Sequence, residues 1–400
     1  MKLITETVSQ IISEVKTRGD AAVREYTLKF DGIELNELEV SCAEIEESVN
    51  KVGNFAEILR RSAKNIREFH CRQVREGFMF SPSDGVILGQ RVLPLERVGV
   101  YVPGGTASYP SSVLMNVIPA KIAGVKEVIV ASPPQIRPEV LAAAKIAGAD
   151  RVFRLGGAQA IAAMAYGTET VPKVDKITGP GNAYVAEAKR QVFGIVDIDM
   201  IAGPSEILII ADADNDPAVI AADMLAQAEH DTSAKAILLT DSEELAAKVR
   251  KEVERQLKAL PREAIARSSI ENNGVVQVAG LDDAVRIANE IAPEHLELCV
   301  AEPFTFLPRI KNAASVFLGR HSPEALGDYY AGANHVLPTM GTARFSSPLS
   351  VDDFVKKSQF IFYTEQALAE AASDIETFAK NEGLDAHAQS ITIRRDHVHS

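Results

Sequence analysis

Over the first 75 residues, apolar side chains recur at intervals of three and four. They do so in "TETVSQIISEVKTRG" and in "AEIEESVNKVGNFAEILRRSAKNIREFH", which predicts helices. The period then changes. "GVILGQRVLPLERVGVYV" is rich in β-branched residues and reads as strand. Beyond it, short apolar runs alternate with helical stretches. "RVGVYV", "EVIVAS", "RVFRLG" and "VDKITG" are strand-sized, and "SSVLMNVIPAKIAG", "PEVLAAAKIAG" and "AQAIAAMAYG" lie between them, with "NAYVAEAKRQVFG" after the last. A second series begins at Glu206 with "EILIIA", "AILLT", "VVQV", "LELCV" and "SVFLG". Two successive strand–helix series predict an α/β protein built on two parallel sheets with helices on both faces. A loop-rich stretch, "EALGDYYAGANHVLPTMGTARFSSP", leads to a helical tail, "TEQALAEAASDIETFAKNEGLDAHAQS". The expected division is a first α/β domain from residues 1–100 and 207–345 carrying the N-terminal helices. Residues 101–206 form a second α/β domain, and 346–400 a small helical tail domain.

Composition narrows the class of protein. Residues are 46% hydrophobic and 24% charged, as in an ordinary globular chain, and the core is aliphatic because aromatics are 6% and tryptophan is absent. A net charge of -13 argues against nucleic acid or an anionic membrane as partner. Cys42, Cys71 and Cys299 are odd in number and widely spaced, so neither a disulfide framework nor a cysteine zinc site is expected. A reducing cytoplasm is the expected location. The N-terminus lacks the unbroken apolar run of a signal peptide. The longest apolar runs are too short to cross a bilayer.

Three glycine turns follow strands and precede helices: Pro103-Gly104-Gly105, "GGAQA" at 156–160 and "TGPGNAY" at 178–184. None is the GxGxxG fingerprint of a usual Rossmann domain, and no acidic residue stands where a ribose contact belongs. Each alone could be a tight connection. Together they mark the carboxyl edge of a sheet, where open α/β folds bind ligands. "AGPSE" offers Ser205 at the join of the two series, as substrate contact or turn cap. "QAEH" ends a buried-looking helix with Gln227 and His230 one turn apart. That pattern is either a polar helix end, with His230 against the dipole, or a pair of metal ligands on one face.

"APEHLELCV" places Glu294 and His295 at the entrance of a buried strand, where acid and imidazole suit proton relay or a solvated strand start. Cys299, inside that strand, reads as an inert thiol. "GDYYAGANHVLPT" offers Asp328 and His335 in a loop, and "NEGLDAHAQS" offers Glu382 and His387. His70 and His321 have no companions and read as surface residues. His397 and His399, though spaced as a chelating pair, fall in a terminus expected to fray.

In this order, "YVPGGTA", "GGAQAIAA", "PKVDKITGPGN", "AGPSE", "QAEH", "PEHLE", "GDYYAGANHVLPT" and "EGLDAH" resemble the motifs of the histidinol dehydrogenase family from about residue 90 onward. The resemblance implies oxidation of L-histidinol through its aldehyde to L-histidine, with two NAD and one Zn2+ per subunit, in a homodimer with shared active sites. It further implies Gln227, His230, Asp328 and His387 as metal ligands, the last from an exchanged tail. Tyr101, Gln159 and Asn182 would line the NAD site. Ser205, His295 and Glu382 would contact substrate beside the metal ligands, and Glu294 and His295 would accept protons, with His335 nearby. Departures are few: Ile201 and Ala292 stand where the family commonly has proline and glycine. The alternative is a family relative that oxidises another small primary alcohol at the same site. A zinc hydrolase using water activated by Glu294, without nicotinamide, is a rival of another class.

Overall fold

The computed structural model describes residues 2–104 and 108–397, so Gly105 and His399 lie outside the described residues, as does the side chain of His397. The chain falls into two compact units, residues 1–74 with 95–354 and residues 75–94 with 355–400.

The first unit contains two parallel sheets of the same design. One joins β3 (Arg97–Tyr101), β4 (Glu127–Ser132), β5 (Arg151–Arg154), β6 (Lys176–Thr178) and β7 (Asp197–Ile198), in the order β5-β4-β3-β6-β7. The other joins β8 (Glu206–Ala211), β9 (Lys235–Thr240), β10 (Gly274–Val278), β11 (His295–Cys299) and β12 (Ser315–Leu318), in the order β10-β9-β8-β11-β12. In each, the first strand of the series is central and the order reverses beside it, which is the doubly wound pattern the alternation predicts.

The strands are apolar on both faces because both are covered. Along β8, Ile207 and Ile209 face one cluster with Ile220 and Val249, while Leu208 and Ile210 face another with Ala284 and Leu296. This alternation is the period-two geometry of a strand buried on two sides. The helices against the first sheet are α5 (Pro110–Ile122), α6 (Pro138–Ala147), α7 (Gly157–Tyr166) and α8 (Ala183–Val192). Those against the second include α9 (Pro217–Ala228), α10 (Glu243–Leu257), α11 (Glu263–Asn273) and α12 (Leu281–Ile291). Caps fix where the site-bearing helices begin. Asn182 Oδ1 accepts from the backbone N–H groups of Tyr184 and Val185, and Asp216 Oδ1 from that of Ala218 beside Pro217.

The division of the chain differs from the expected one. The N-terminal helices α1 (Lys2–Arg18), α2 (Asp20–Asp31), α3 (Cys42–Lys51) and α4 (Phe55–His70) pack on the 97–198 sheet. Val8 and Val15 join Ile161 and Met164 of α7, and Leu59 and Ile66 join Leu114 and Leu141. His70, read as a surface residue, is fully buried and bonds Gln73 Oε1 through Nδ1 at 2.7 Å; His321 is exposed.

The second unit is a three-stranded antiparallel sheet with two helices. β1 (Phe78–Phe80) pairs with β2 (Val86–Pro94), and β2 with β13 (Val355–Tyr363), from Val86 opposite Tyr363 to Pro94 opposite Val355. The helix Glu365–Asn381, capped by Thr364, packs on β13 and on the last helix, Asp385–His397. Among the described residues no helix is long and apolar enough to cross a membrane.

Candidate active site

The two sheets of the first unit meet at a cleft, and they present opposite edges to it. The first offers its carboxyl edge: Pro103 after β3 and Gly179 to Asn182 after β6. The second offers its amino edge: Ser205 before β8, His230 before β9, Glu294 before β11 and His295 as its first residue. Glu324, Asp328 and His335 complete the wall. Helices begin at a carboxyl edge and end at an amino edge. The cleft therefore has the N-terminus of α8 on one side and the C-termini of α9 and α12 on the other. The first polarity favours anions and the second cations.

Gln227 is fully buried in the last turn of α9, and His230, exposed, follows two residues past its end. His230, Glu324 and Asp328 each offer a ligand atom, all within 4.8 Å of one another. The His230 imidazole and the Asp328 carboxylate, beside the Gln227 amide and with the Glu324 carboxyl group within reach, suit a divalent ion taking nitrogen and oxygen ligands with positions to spare. Asp328 lies on a single π-helical turn, Gly327–Ala331, in place of the expected loop, an irregularity that recurs at functional sites. His335 is tethered there, its Nδ1 3.1 Å from the Asp328 carbonyl and 3.7 Å from the carboxylate.

The proton-handling pair is buried. His295 Nδ1 lies 3.3 Å from the Glu206 carbonyl, 3.5 Å from Glu324 Oε1 and 3.8 Å from Glu294 Oε2. With acceptors around Nδ1, the neutral ring carries its proton there, and the buried Nε2 has no partner. Burial lowers the His295 pKa to about 4, against the opposing pull of the Asp328 charge. The imidazole is therefore a neutral acceptor at pH 7. Glu294 accepts from the Glu206 N–H at 3.0 Å. Burial first, then the charges of Glu206 and Asp328, raises its pKa to about 8. Glu324 is raised well above the usual carboxylate range by burial and by Asp328.

The glycine side is held rather than charged. A Cβ on Gly179, whose φ is +106, would stand 2.0 Å from the Tyr101 carbonyl oxygen. That turn is clamped by Asp199 Oδ2, which accepts from Gly179 N–H at 2.7 Å, and by the buried Lys189, which donates to the Gly179 carbonyl at 3.0 Å and to Asp199. Asn182 lines the cleft, but its side-chain oxygen is committed to capping α8. Tyr101 is buried and its hydroxyl accepts from Gly157 N–H at 3.1 Å, so it braces the second glycine turn. Gln159 is buried with Oε1 unpartnered. Glu382 and His387 belong to the second unit, where both are exposed beside Phe378 and Leu384. Cys299 is buried, and burial pushes its thiol pKa up, as befits an inert residue.

Glu324 and Lys189 went unnoticed in the sequence. Glu324 stands four residues before Asp328, the spacing of one helical turn, and Lys189 lies on the apolar stripe of Val185, Ala188 and Val192.

The chain is an α/β protein whose two doubly wound sheets meet at a cleft holding a buried, neutral imidazole. The chain belongs to the histidinol dehydrogenase family, whose model matches residues 1–395. It is 56% identical over 396 residues to the histidinol dehydrogenase of Listeria innocua, covering 98% of this chain and 93% of that one. To that of Streptococcus mutans it is 55% identical over 397 residues, with 98% and 93% covered. The crystal structure of histidinol dehydrogenase from Elizabethkingia anophelis superposes with a TM-score of 0.93 at 38% identity, covering 99% of this chain and 93% of that one.

Proposed function

We propose that this chain oxidises L-histidinol through L-histidinaldehyde to L-histidine with two NAD, in the cytoplasm, as a Zn2+-dependent enzyme. The observation that carries the proposal is the neutral His295, whose unpartnered Nε2 lies in the same cleft as the His230, Glu324 and Asp328 cluster. Gln227, His230 and Asp328 would hold the ion, with His387. When bound, Zn2+ would anchor the amine and imidazole of the substrate, and its charge would draw Glu294 back to the carboxylate form. NAD, accepting one hydride in each half-reaction, would lie along the carboxyl edge of the first sheet, near Tyr101, Gln159 and Asn182, where the α8 N-terminus favours its phosphates.

His295 Nε2 takes the hydroxyl proton as the first hydride leaves the carbinol carbon. Glu294 takes a proton from the water that adds to the aldehyde, and His295 returns its proton to the aldehyde oxygen, which leaves the hydrate and a neutral imidazole. His295 then accepts the proton of the hydrate as the second hydride leaves, giving the acid. Ser205 and Glu382 would position the substrate. Because His387 and Glu382 lie in the second unit, whose Ile361, Phe362 and Phe378 are exposed apolar residues, the reading includes a homodimer with shared active sites. The test adds histidinol and NAD to purified protein before and after chelation. Two NADH and one histidine per histidinol, abolished by chelation and restored by Zn2+, are expected. NADH from a simple diol but not from histidinol would overturn the substrate.

A further inference from the structure

We propose that Glu324 is a positioning residue of this site: its buried carboxyl group turns the Gln227 side chain so that the amide oxygen, not the amide nitrogen, is free to meet a cation. The inference rests on the reading that Gln227 is a metal ligand. A glutamine can bind a cation only through its amide oxygen, and in a metal-free site neighbours set whether that oxygen or the amide nitrogen faces the cation position. Here the choice is made by neighbours. With its nitrogen turned inward, Gln227 donates to both Glu324 oxygens at 3.1 Å each. Turned the other way, its oxygen would face two carboxyl oxygens, of which at most one can offer a proton, and its two N–H groups would lose both acceptors in a fully buried position. The third neighbour, His295 Nδ1 at 3.2 Å, could accept from the same nitrogen only if its proton sat on Nε2; with that proton directed at the Glu206 carbonyl, the two Glu324 oxygens are the acceptors for the amide.

Glu324 is itself fixed. Its backbone N–H donates to Glu297 Oε1 at 2.8 Å, and Glu297 lies on β11 two residues beyond His295. The helix bearing Gln227, the strand bearing His295 and the segment bearing Asp328 are thus keyed together through one residue. The same carboxyl group, 3.5 Å from His295 Nδ1, joins the Glu206 carbonyl in keeping the ring proton on that nitrogen and Nε2 bare.

The variant E324Q keeps the volume but sets an amide against an amide; E324D keeps both acceptor oxygens on a shorter arm. The measurement is Zn2+ affinity of the full-length protein by competition with a chromophoric chelator, beside thermal unfolding of the metal-free form. Wild type should bind one Zn2+ per chain. E324Q should bind about 10- to 100-fold more weakly without a lowered unfolding temperature, and E324D should lose less. A Zn2+-bound crystal structure should show Gln227 Oε1 on the ion and Gln227 Nε2 on Glu324. Unchanged affinity in E324Q, or a Glu324 oxygen bonded to the ion, overturns the proposal while leaving the metal reading intact. If E324Q does not fold, E324D decides, and wild-type affinity there overturns it equally. Wild-type protein that binds no Zn2+ overturns the metal reading, and this inference falls with it.

Discussion

The two sheets of the first unit share one strand order and do different work at the cleft. The 97–198 sheet contributes glycine turns, backbone N–H groups and a sealed ion pair. The 206–318 sheet contributes most of the groups that can move a proton or hold a cation. The difference follows from which edge each presents. At a carboxyl edge the chain leaves a strand and starts a helix, so the turn must be tight and the exposed dipole is positive. At an amino edge the chain leaves a helix and enters a strand, and the dipole is negative. Gln227, His230, Glu294 and His295 all occupy such helix-to-strand joins. On the proposed reading, an anionic cofactor and a cation-held substrate would meet between two copies of one architecture used from opposite ends.

The sharpest break is at the base. H295N should lower kcat by about 10²- to 10⁴-fold with a smaller effect on KM for NAD, since the cofactor side is untouched. Steady-state kinetics with histidinol check it, and a loss confined to KM for NAD would place the chemistry on the wrong sheet. On the other sheet the matching change is steric. G179A forces a methyl group into the Tyr101 carbonyl at a left-handed backbone position, and should cost roughly 2–4 kcal/mol of stability. G148A, also left-handed but with nothing within 4 Å, should cost only about 1–2 kcal/mol. Equal losses in urea unfolding would mean that the close approach, unlike the φ angle, is unimportant.

Legibility divided along the same line. The strands were readable because a strand buried on both faces is a continuous β-branched run, as in "EILIIA"; β7, two residues long, left no such trace. Carboxyl-edge turns declare themselves through glycine. Amino-edge groups do not: Glu294 and His295 became more than a strand start only through their resemblance to a family motif. His70 looked solitary because Asn334, whose side chain lies 3.3 Å from its Nε2, is 264 residues away in sequence. Glu324 was silent for the same reason, since its partners lie on α9 and β11.

A third prediction concerns the buried acids behind the site. Burial, then the neighbouring Asp223 charge, raises Glu297 to about 8, and burial raises Asp223 to about 6. The folded protein thus retains a proton that the unfolded chain releases above its ordinary value of 4.5. The unfolded state binds fewer protons in that window, so stability falls as pH rises from about 5 to about 8, by up to about 1.4 kcal/mol per pH unit for one proton. E297Q, which cannot ionise, should make the slope in metal-free protein shallower without abolishing it, because Glu294 and Glu324 are also raised by burial. A slope unchanged in urea titrations across that range would put the retained proton elsewhere.

The smallest effect tests whether an amino-edge join needs glycine at all. Ala292 caps α12 with φ 54 and ψ 62, two residues before Glu294, in the conformation that glycine adopts freely. Replacing it by glycine should relieve about 1–2 kcal/mol of left-handed strain. The same change removes a fully buried methyl group, worth about 0.8 kcal/mol. It also loosens the unfolded chain by about 0.4–1 kcal/mol. These contributions nearly cancel, so A292G should shift unfolding by no more than about 0.8 kcal/mol in either direction, in contrast to G179A on the opposite edge. A shift well beyond 1 kcal/mol in either direction would show that the backbone at this join is set by more than the conformational preference of one residue. The contrast between a glycine edge and a side-chain edge would then need a different physical basis.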